Sequence, residues 1–145
     1  MSVRALERKD FDAWLPLMRK NCLHTVDDDI LNTTWQRLIN PKEKVFGLGA
    51  FDDSGNLQGF LHYSLHRNTA FIEDACYMQD LYVDRDHRRQ GIARRLIWEL
   101  NDIGKKERWS WIYWFAENNN VAAQNLYKNL GIHMNFSLHM LQTQD

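Results

Sequence analysis

Tyr77 to Gly104 reads YMQDLYVDRDHRRQGIARRLIWELNDIG. Residues Ala75 to Val83 are apolar and aromatic, interrupted by Gln79 and Asp80, which suits a buried strand. Asp84 to Gln90 is turn-prone and basic. From Ile92 onward the apolar positions Leu96, Leu100 and Ile103 recur at the spacing of one helix face. The stretch is therefore a strand, a charged loop and a helix, with Gly91 near the helix start. The first N–H groups of a helix have no partner within it, glycine admits close approach to them, and arginines add positive charge. An anionic group is expected there. The loop lacks the Gly-Lys-Ser/Thr of a P-loop and the three glycines of a dinucleotide fingerprint. Spacing alone leaves two readings open, a phosphate site or a solvated basic loop that caps a helix.

Outward from this stretch, the rest of the chain supplies one domain, residues 1–145, with enough apolar and aromatic material for a single core: 6 Trp, 5 Tyr and 7 Phe in 145 residues. A formal charge of −1 gives no general nucleic-acid footprint. Cys22 and Cys76 are too far apart in sequence for a metal knuckle and too few for a disulfide framework, so each is expected to be a small buried hydrophobe. No apolar run is long enough to cross a membrane and no signal pattern follows Met1, which makes the cytoplasm the expected location.

Upstream, Val3 to Leu6 suits a short strand. Asp10 is placed to cap a helix bearing Phe11, Trp14, Leu15 and Met18, with Pro16 either kinking it or delaying its start. A second helix is expected from Asp27 to Ile39, ended by Asn40-Pro41. Asp27, Asp28 and Asp29 either cap that helix or form an acidic rim that recruits an amine. Val45 to Phe51 and Leu57 to Leu65 flank Asp52-Asp53-Ser54-Gly55-Asn56, which reads as a hairpin. His62 and His66 share one strand face but lack a third ligand, so no metal is expected.

Downstream, Gly104-Lys105-Lys106 reads as a helix C-terminus. Trp109 to Phe115, WSWIYWF, reads as a buried strand, and without interleaved basic residues it is no base-stacking surface. A helix carrying Ala123, Leu126, Tyr127 and Leu130 follows Asn118 to Asn120 and stops at Gly131. Ile132 to Leu141 suits one or two final strands.

Arg88-Arg89-Gln90-Gly91-Ile92-Ala93 fits the Arg/Gln-x-x-Gly-x-Gly/Ala signature of the GCN5-related N-acetyltransferase (GNAT) superfamily. Asn120 to Ile132, NVAAQNLYKNLGI, resembles that family's Asn-x-x-Ala-x-x-x-Tyr-x-x-x-Gly-Phe segment, with Ile132 in place of the common Phe. The two motifs lie in register, and the likeness spans about Val45 to Leu138. More narrowly, DLYVD resembles the Hpa2-like and diamine acetyltransferase relatives. The resemblance implies an α/β fold with a mixed, twisted central sheet of 6–7 strands flanked by about four helices. It also implies acetyl-CoA as co-substrate, a small-molecule amine as acceptor and a homodimer.

By the same resemblance, the backbone of Leu81, Tyr82 and Val83 binds pantetheine, and Arg88, Arg89, Gln90, Gly91, Ile92 and Ala93 cradle pyrophosphate. Arg85, Arg94 and Arg95 are candidates for the nucleotide phosphate, and Asn120 lies near the cofactor or caps a helix. Tyr127 matches the tyrosine that protonates the departing thiolate. The amine must lose a proton to react. Where diamine acetyltransferases commonly have Glu, this chain has Gln79, which cannot take a proton but can orient water or the amine. Either Asp80 or a remote group completes the proton path, or the amine arrives already neutral; Asp80 is otherwise a buried structural acceptor, and Glu117 and His62 rank below it. Asp27, Asp28 and Glu117 are the candidate substrate-binding carboxylates. A protein or peptide acceptor, and a catalytically silent acyl-CoA-binding protein, are the alternatives.

Overall fold

The computed structural model describes residues 1–22 and 24–144. They divide into two compact units, one from Met1 to Phe115 and one from Ala116 onward.

In the first unit, five strands form one sheet in the order β1-β2-β3-β4-β5. These are β1 (Ser2–Ala5), β2 (Val45–Phe51), β3 (Leu57–His66), β4 (Ala75–Val83) and β5 (Ile112–Tyr113). The first four pair antiparallel and β5 joins β4 in parallel. The expected hairpin is present. Its turn is closed by Asp52, whose carboxylate accepts from the Ser54 and Asn56 N–H groups at 2.9 and 2.8 Å.

Helices α1 (Phe11–Asn21) and α2 (Asp28–Ile39) bury Trp14, Leu17, Leu31, Trp35 and Leu38 in one cluster with Phe51 and Phe60 of the sheet. Pro16 neither breaks α1 nor delays it. It and Asp12, whose carbonyl it leaves without an N–H partner, are both on the exposed side, where the missing bond costs least because the carbonyl is open to solvent. Asp10 does not cap α1 through its side chain. It is buried instead, gripped by Arg4 through two bonds of 2.7 and 3.0 Å, and it accepts the Glu7 N–H at 2.7 Å.

Burial pushes the Asp10 carboxyl up, but the Arg4 guanidinium and the Glu7 N–H outweigh burial and hold it below its ordinary value of 3.8. A depressed carboxyl stabilises the fold above its unfolded value and loses that contribution as pH falls through the folded one. Asp10→Asn is thus expected to cost about 2–3 kcal/mol at pH 7, as for a hydrogen-bonded charge. Urea midpoints of the two proteins should converge as pH falls below the ordinary carboxyl value of 3.8; a gap that does not change with pH would contradict this.

Helix α3 (Ile92–Glu107) turns Ile92, Leu96, Ile97 and Leu100 inward. Gly104 does not end it, contrary to the sequence reading. The turn-forming residue is Arg108, at φ 60°, and Gly104 is an interior position where a Cβ would stand 2.9 Å from the Trp109 ring. That glycine is required by close packing, not by a left-handed backbone. Cys76 is fully buried and burial pushes its thiol up to about 12, whereas Cys22 is only half-buried.

Two further expectations are corrected. Among the described residues the sheet has five strands and not 6–7, because residues 132–144 form no ladder although their apolar side chains alternate. Ile132, Phe136, Leu138 and Met140 are exposed. Alternation makes a segment competent for a strand, but only a neighbouring backbone makes it one. Likewise, of Trp109 to Phe115 only Ile112 and Tyr113 pair with β4. In the second unit, α4 (Val121–Lys128) starts at Asn120, whose side chain accepts the Ala123 N–H at 3.1 Å.

Candidate active site

The centre of the site is an irregularity in β4. Met78 pairs with Tyr63 and Asp80 with His62, so Gln79 is an extra residue, a β-bulge. Parallel pairing to β5 involves only Cys76 and Tyr77, ending two residues before the bulge. From Gln79 to Val83, among the described residues, the edge of β4 away from β3 carries no strand. Backbone groups on that edge are open to an extended ligand. Gln79 is exposed, and Leu81, Tyr82 and Val83 are half-buried.

Asp80 is held from two sides. Its Oδ2 is 3.0 Å from Nδ1 of His62, and its Oδ1 accepts from Asn21 Nδ2 at 3.2 Å. His62 in turn accepts from the indole N–H of Trp14, with Nε1 3.0 Å from Nε2. Trp14 is 0% exposed and His62 3%, yet the Asp80 side chain is 24% exposed. The carboxylate is therefore anchored in the core at its base and open to a ligand at its rim. Nearby on β4 and β5, Tyr77 stacks on Tyr113 with centroids 5.2 Å apart, and Phe115 lies edge-on 5.8 Å from Tyr77.

β4 runs directly into the basic loop. Asp84 accepts the Arg85 N–H at 2.9 Å and starts a short 3-10 turn over Arg85–His87. Arg88 Nε donates to the Val83 carbonyl at 3.1 Å, tying the loop to the strand end. Arg89 and Gly91 then take left-handed φ values of 61° and 77°. Nothing lies within 4 Å of a Cβ placed on Gly91, so backbone conformation and not space favours glycine there. No side chain caps α3, and its first intrahelical bond is Arg95 N to the Gly91 carbonyl at 3.0 Å. The N–H groups of Ile92 and Ala93 precede that ladder. Arg85, Arg88, Arg89, Arg94 and Arg95 are all exposed, as is Gln90, and no ion pair found among the described residues uses these arginines. This donor set fits a pyrophosphate.

The remaining sequence candidates are distributed differently. Asp27 is the α2 cap, accepting the Ile30 N–H at 2.9 Å, and Asp28 is paired with Arg19 at 2.6 Å. The open depression of about 350 Å³ that Asp27 lines is walled by α2 residues and includes neither Gln79 nor Asp80. In the second unit, Asn120 caps α4 and Tyr127 lies in its last turn. Burial pushes the Tyr127 hydroxyl up, which keeps it protonated at neutral pH. The Glu117 carbonyl accepts from Gln124 Nε2 at 3.0 Å. Among the described residues, no three His, Cys, Asp or Glu side chains are grouped to hold a metal ion, and no helix is long and apolar enough to cross a membrane.

Sequence reasoning missed Trp14 and Asn21 and ranked His62 low. The available signal was His62 itself. A histidine inside an apolar strand requires hydrogen-bond partners when buried.

A strand with an open, bulged edge that leads into an uncapped, arginine-lined helix start defines a protein built to hold a long ligand with an anionic end. Residues 4–132 match the model of the Acetyltransferase (GNAT) family, and the chain belongs to that family. It is similar to the D-amino-acid N-acetyltransferase HPA3 of Saccharomyces cerevisiae, with 35% identity over 86% of this chain and 80% of the relative. Among solved structures, the ribosomal-protein-alanine N-acetyltransferase of Brucella melitensis biovar Abortus 2308 superposes with a TM-score of 0.82 at 25% identity, covering 98% of this chain and 99% of that one. AAC(6')-Iy, in complex with a bisubstrate analog of CoA, shares the fold with a TM-score of 0.84 at 16% identity, over 99% and 98% of the two chains. The chain is an N-acetyltransferase, and acetyl-CoA is its co-substrate.

Proposed function

We propose that the acceptor is the primary amine of a small molecule, that Asp80 receives the amine proton, and that Tyr127 gives a proton to the departing sulfur. The observation that carries this reading is Asp80, a carboxylate anchored by His62 and Asn21 beside the open edge of β4 and still 24% exposed. Acetyl-CoA supplies the thioester whose carbonyl carbon takes the amine's lone pair. Backbone N–H groups between Gln79 and Val83 that point away from β3 are the assigned donors to the carbonyl oxygen and to pantetheine. The amides at Gly91, Ile92 and Ala93, with Arg88, Arg89 and Gln90, are assigned to the pyrophosphate. Gln79, exposed at the bulge, orients the amine or a water through its amide.

The half-exposed rings of Tyr77 and Tyr113 support an amine-bearing acceptor, since an ammonium is attracted to aromatic faces and to a carboxylate together. A diamine or polyamine fits this chemistry. The likeness to a D-amino-acid N-acetyltransferase favours an amino-acid amine as the second class to test.

The test is release of free CoA thiol from acetyl-CoA over putrescine, spermidine, spermine, D- and L-phenylalanine, an aminoglycoside and a short peptide. Tyr127→Phe is run beside the natural sequence. The expected result is turnover on one small amine, lowered about tenfold or more in kcat by Tyr127→Phe with acetyl-CoA affinity retained. Turnover on the peptide alone would overturn the small-molecule reading, and an unchanged kcat would remove Tyr127 from the acid role.

A further inference from the structure

His62 is a buried imidazole that the reaction as described leaves unused, and its two ring nitrogens have different partners. An indole N–H donates and never accepts. The 3.0 Å contact from Trp14 Nε1 therefore requires a lone pair on His62 Nε2. A neutral imidazole with an accepting Nε2 carries its proton on Nδ1. That N–H points at Asp80 Oδ2, 3.0 Å away. The contact is a hydrogen bond from a neutral ring to a carboxylate, not an ion pair. A second ring proton would set two N–H donors against each other in a site where Trp14 is 0% and His62 3% exposed.

We infer that Trp14 and His62 are positioning residues that aim the Asp80 carboxylate: the indole selects the imidazole tautomer, and the imidazole fixes the carboxylate without cancelling its charge. The inference rests on Asp80 being the base.

The imidazole is itself locked. Phe60 stacks on it at 4.5 Å between centroids. Each Asp80 oxygen accepts one bond, from His62 or Asn21, and keeps a further lone pair for the amine proton. In that transfer an amine N–H bond breaks and an Asp80 O–H bond forms, while His62 keeps its proton. The proton then leaves Asp80 to solvent, to which the carboxylate is open. The other titratable groups coupled to Asp80 are Cys22, beyond the end of α1, and Tyr77, on β4. Burial and then the Asp80 charge push both upward, so both are neutral at neutral pH.

Two substitutions separate the halves of the relay. In His62→Asn the amide NH2 occupies the place of Nδ1 and still donates to Asp80, while Trp14 loses its acceptor. In His62→Gln the amide oxygen reaches the place of Nε2 and satisfies Trp14, while Asp80 loses its donor. Both remove the same ring from beneath Phe60. Thermal midpoints should fall by similar amounts. With acetyl-CoA and either spermidine or D-phenylalanine, His62→Asn is expected to keep kcat within about threefold and His62→Gln to lose about tenfold or more, as for a misaligned catalytic group. Equal kcat losses in the two variants would overturn the relay. Nitrogen NMR of the His62 ring, which needs no acceptor, must show the proton on Nδ1; a proton on Nε2 would also overturn it. Asp80→Asn is measured alongside. If it retains full kcat, the base assignment is what fails. If it is inactive while His62→Asn and His62→Gln are indistinguishable, only the relay fails.

Discussion

Asp80→Asn is expected to lower kcat by about 10²- to 10⁴-fold, the span for loss of a positioned acid–base group. The substitution keeps the size and shape of the side chain. Its remaining oxygen can accept from His62 Nδ1, the partner 3.0 Å away, and the new amide can face Asn21, whose own amide turns its oxygen inward. The fold is therefore preserved, and the acetyl-CoA affinity, which we assign to the β4 backbone and the α3 amides, should stay within about twofold by calorimetry. What is lost is the carboxylate's negative charge and basicity: the amide oxygen still accepts a hydrogen bond but does not take up the amine proton. A kcat within about threefold of the natural sequence would show that water or another group performs that step.

Trp14→Ala carries the largest expected cost to stability, about 3–5 kcal/mol from the lost ring and the cavity it leaves. Trp14 is completely buried, packed 4.9 Å from the Trp35 centroid and 6.2 Å from that of Phe11, and it is the donor to His62. Such a loss is about a fifth or more of the roughly 5–15 kcal/mol that holds a typical domain. Trp14→Phe separates packing from hydrogen bonding. It keeps most of the ring but strands the buried His62 Nε2, at about 1–3 kcal/mol. Urea midpoints should order natural sequence, Trp14→Phe, Trp14→Ala; identical midpoints for the first two would mean that the indole N–H contributes nothing to the fold.

Much of the molecule could be read along the chain. The hairpin from Val45 to His66, strand β4, the glycine at the α3 start and the Asp27 cap all follow from signals a few residues long. Alternation, helical spacing and turn chemistry are local properties, and local backbone preferences answer to them. The same logic misread Gly104, where a glycine signals a chain end in one context and close packing in another. Only the Trp109 ring above it distinguishes the two. It also overextended β5, because WSWIYWF has the composition of a strand over seven residues while its pairing partner is aligned for only two.

The site divides along the same line. The sequence by itself determined the strand that runs into the basic loop, the arginines and the glycine at the start of α3, because these lie within one continuous stretch. It also marked Asp80 as a candidate. Which group holds Asp80 was decided by tertiary structure alone. Continuing the β3–β4 register from Tyr63 and Met78 without a bulge would set Gln79 opposite His62; the extra residue sets Asp80 there instead. A shift of one residue exchanges the faces of a strand. Trp14 and Asn21 then approach from α1, 48 residues from His62 and 59 from Asp80 in sequence. Contacts that distant depend on register and helix placement, which are set by the packing of the whole core rather than by the residues that meet.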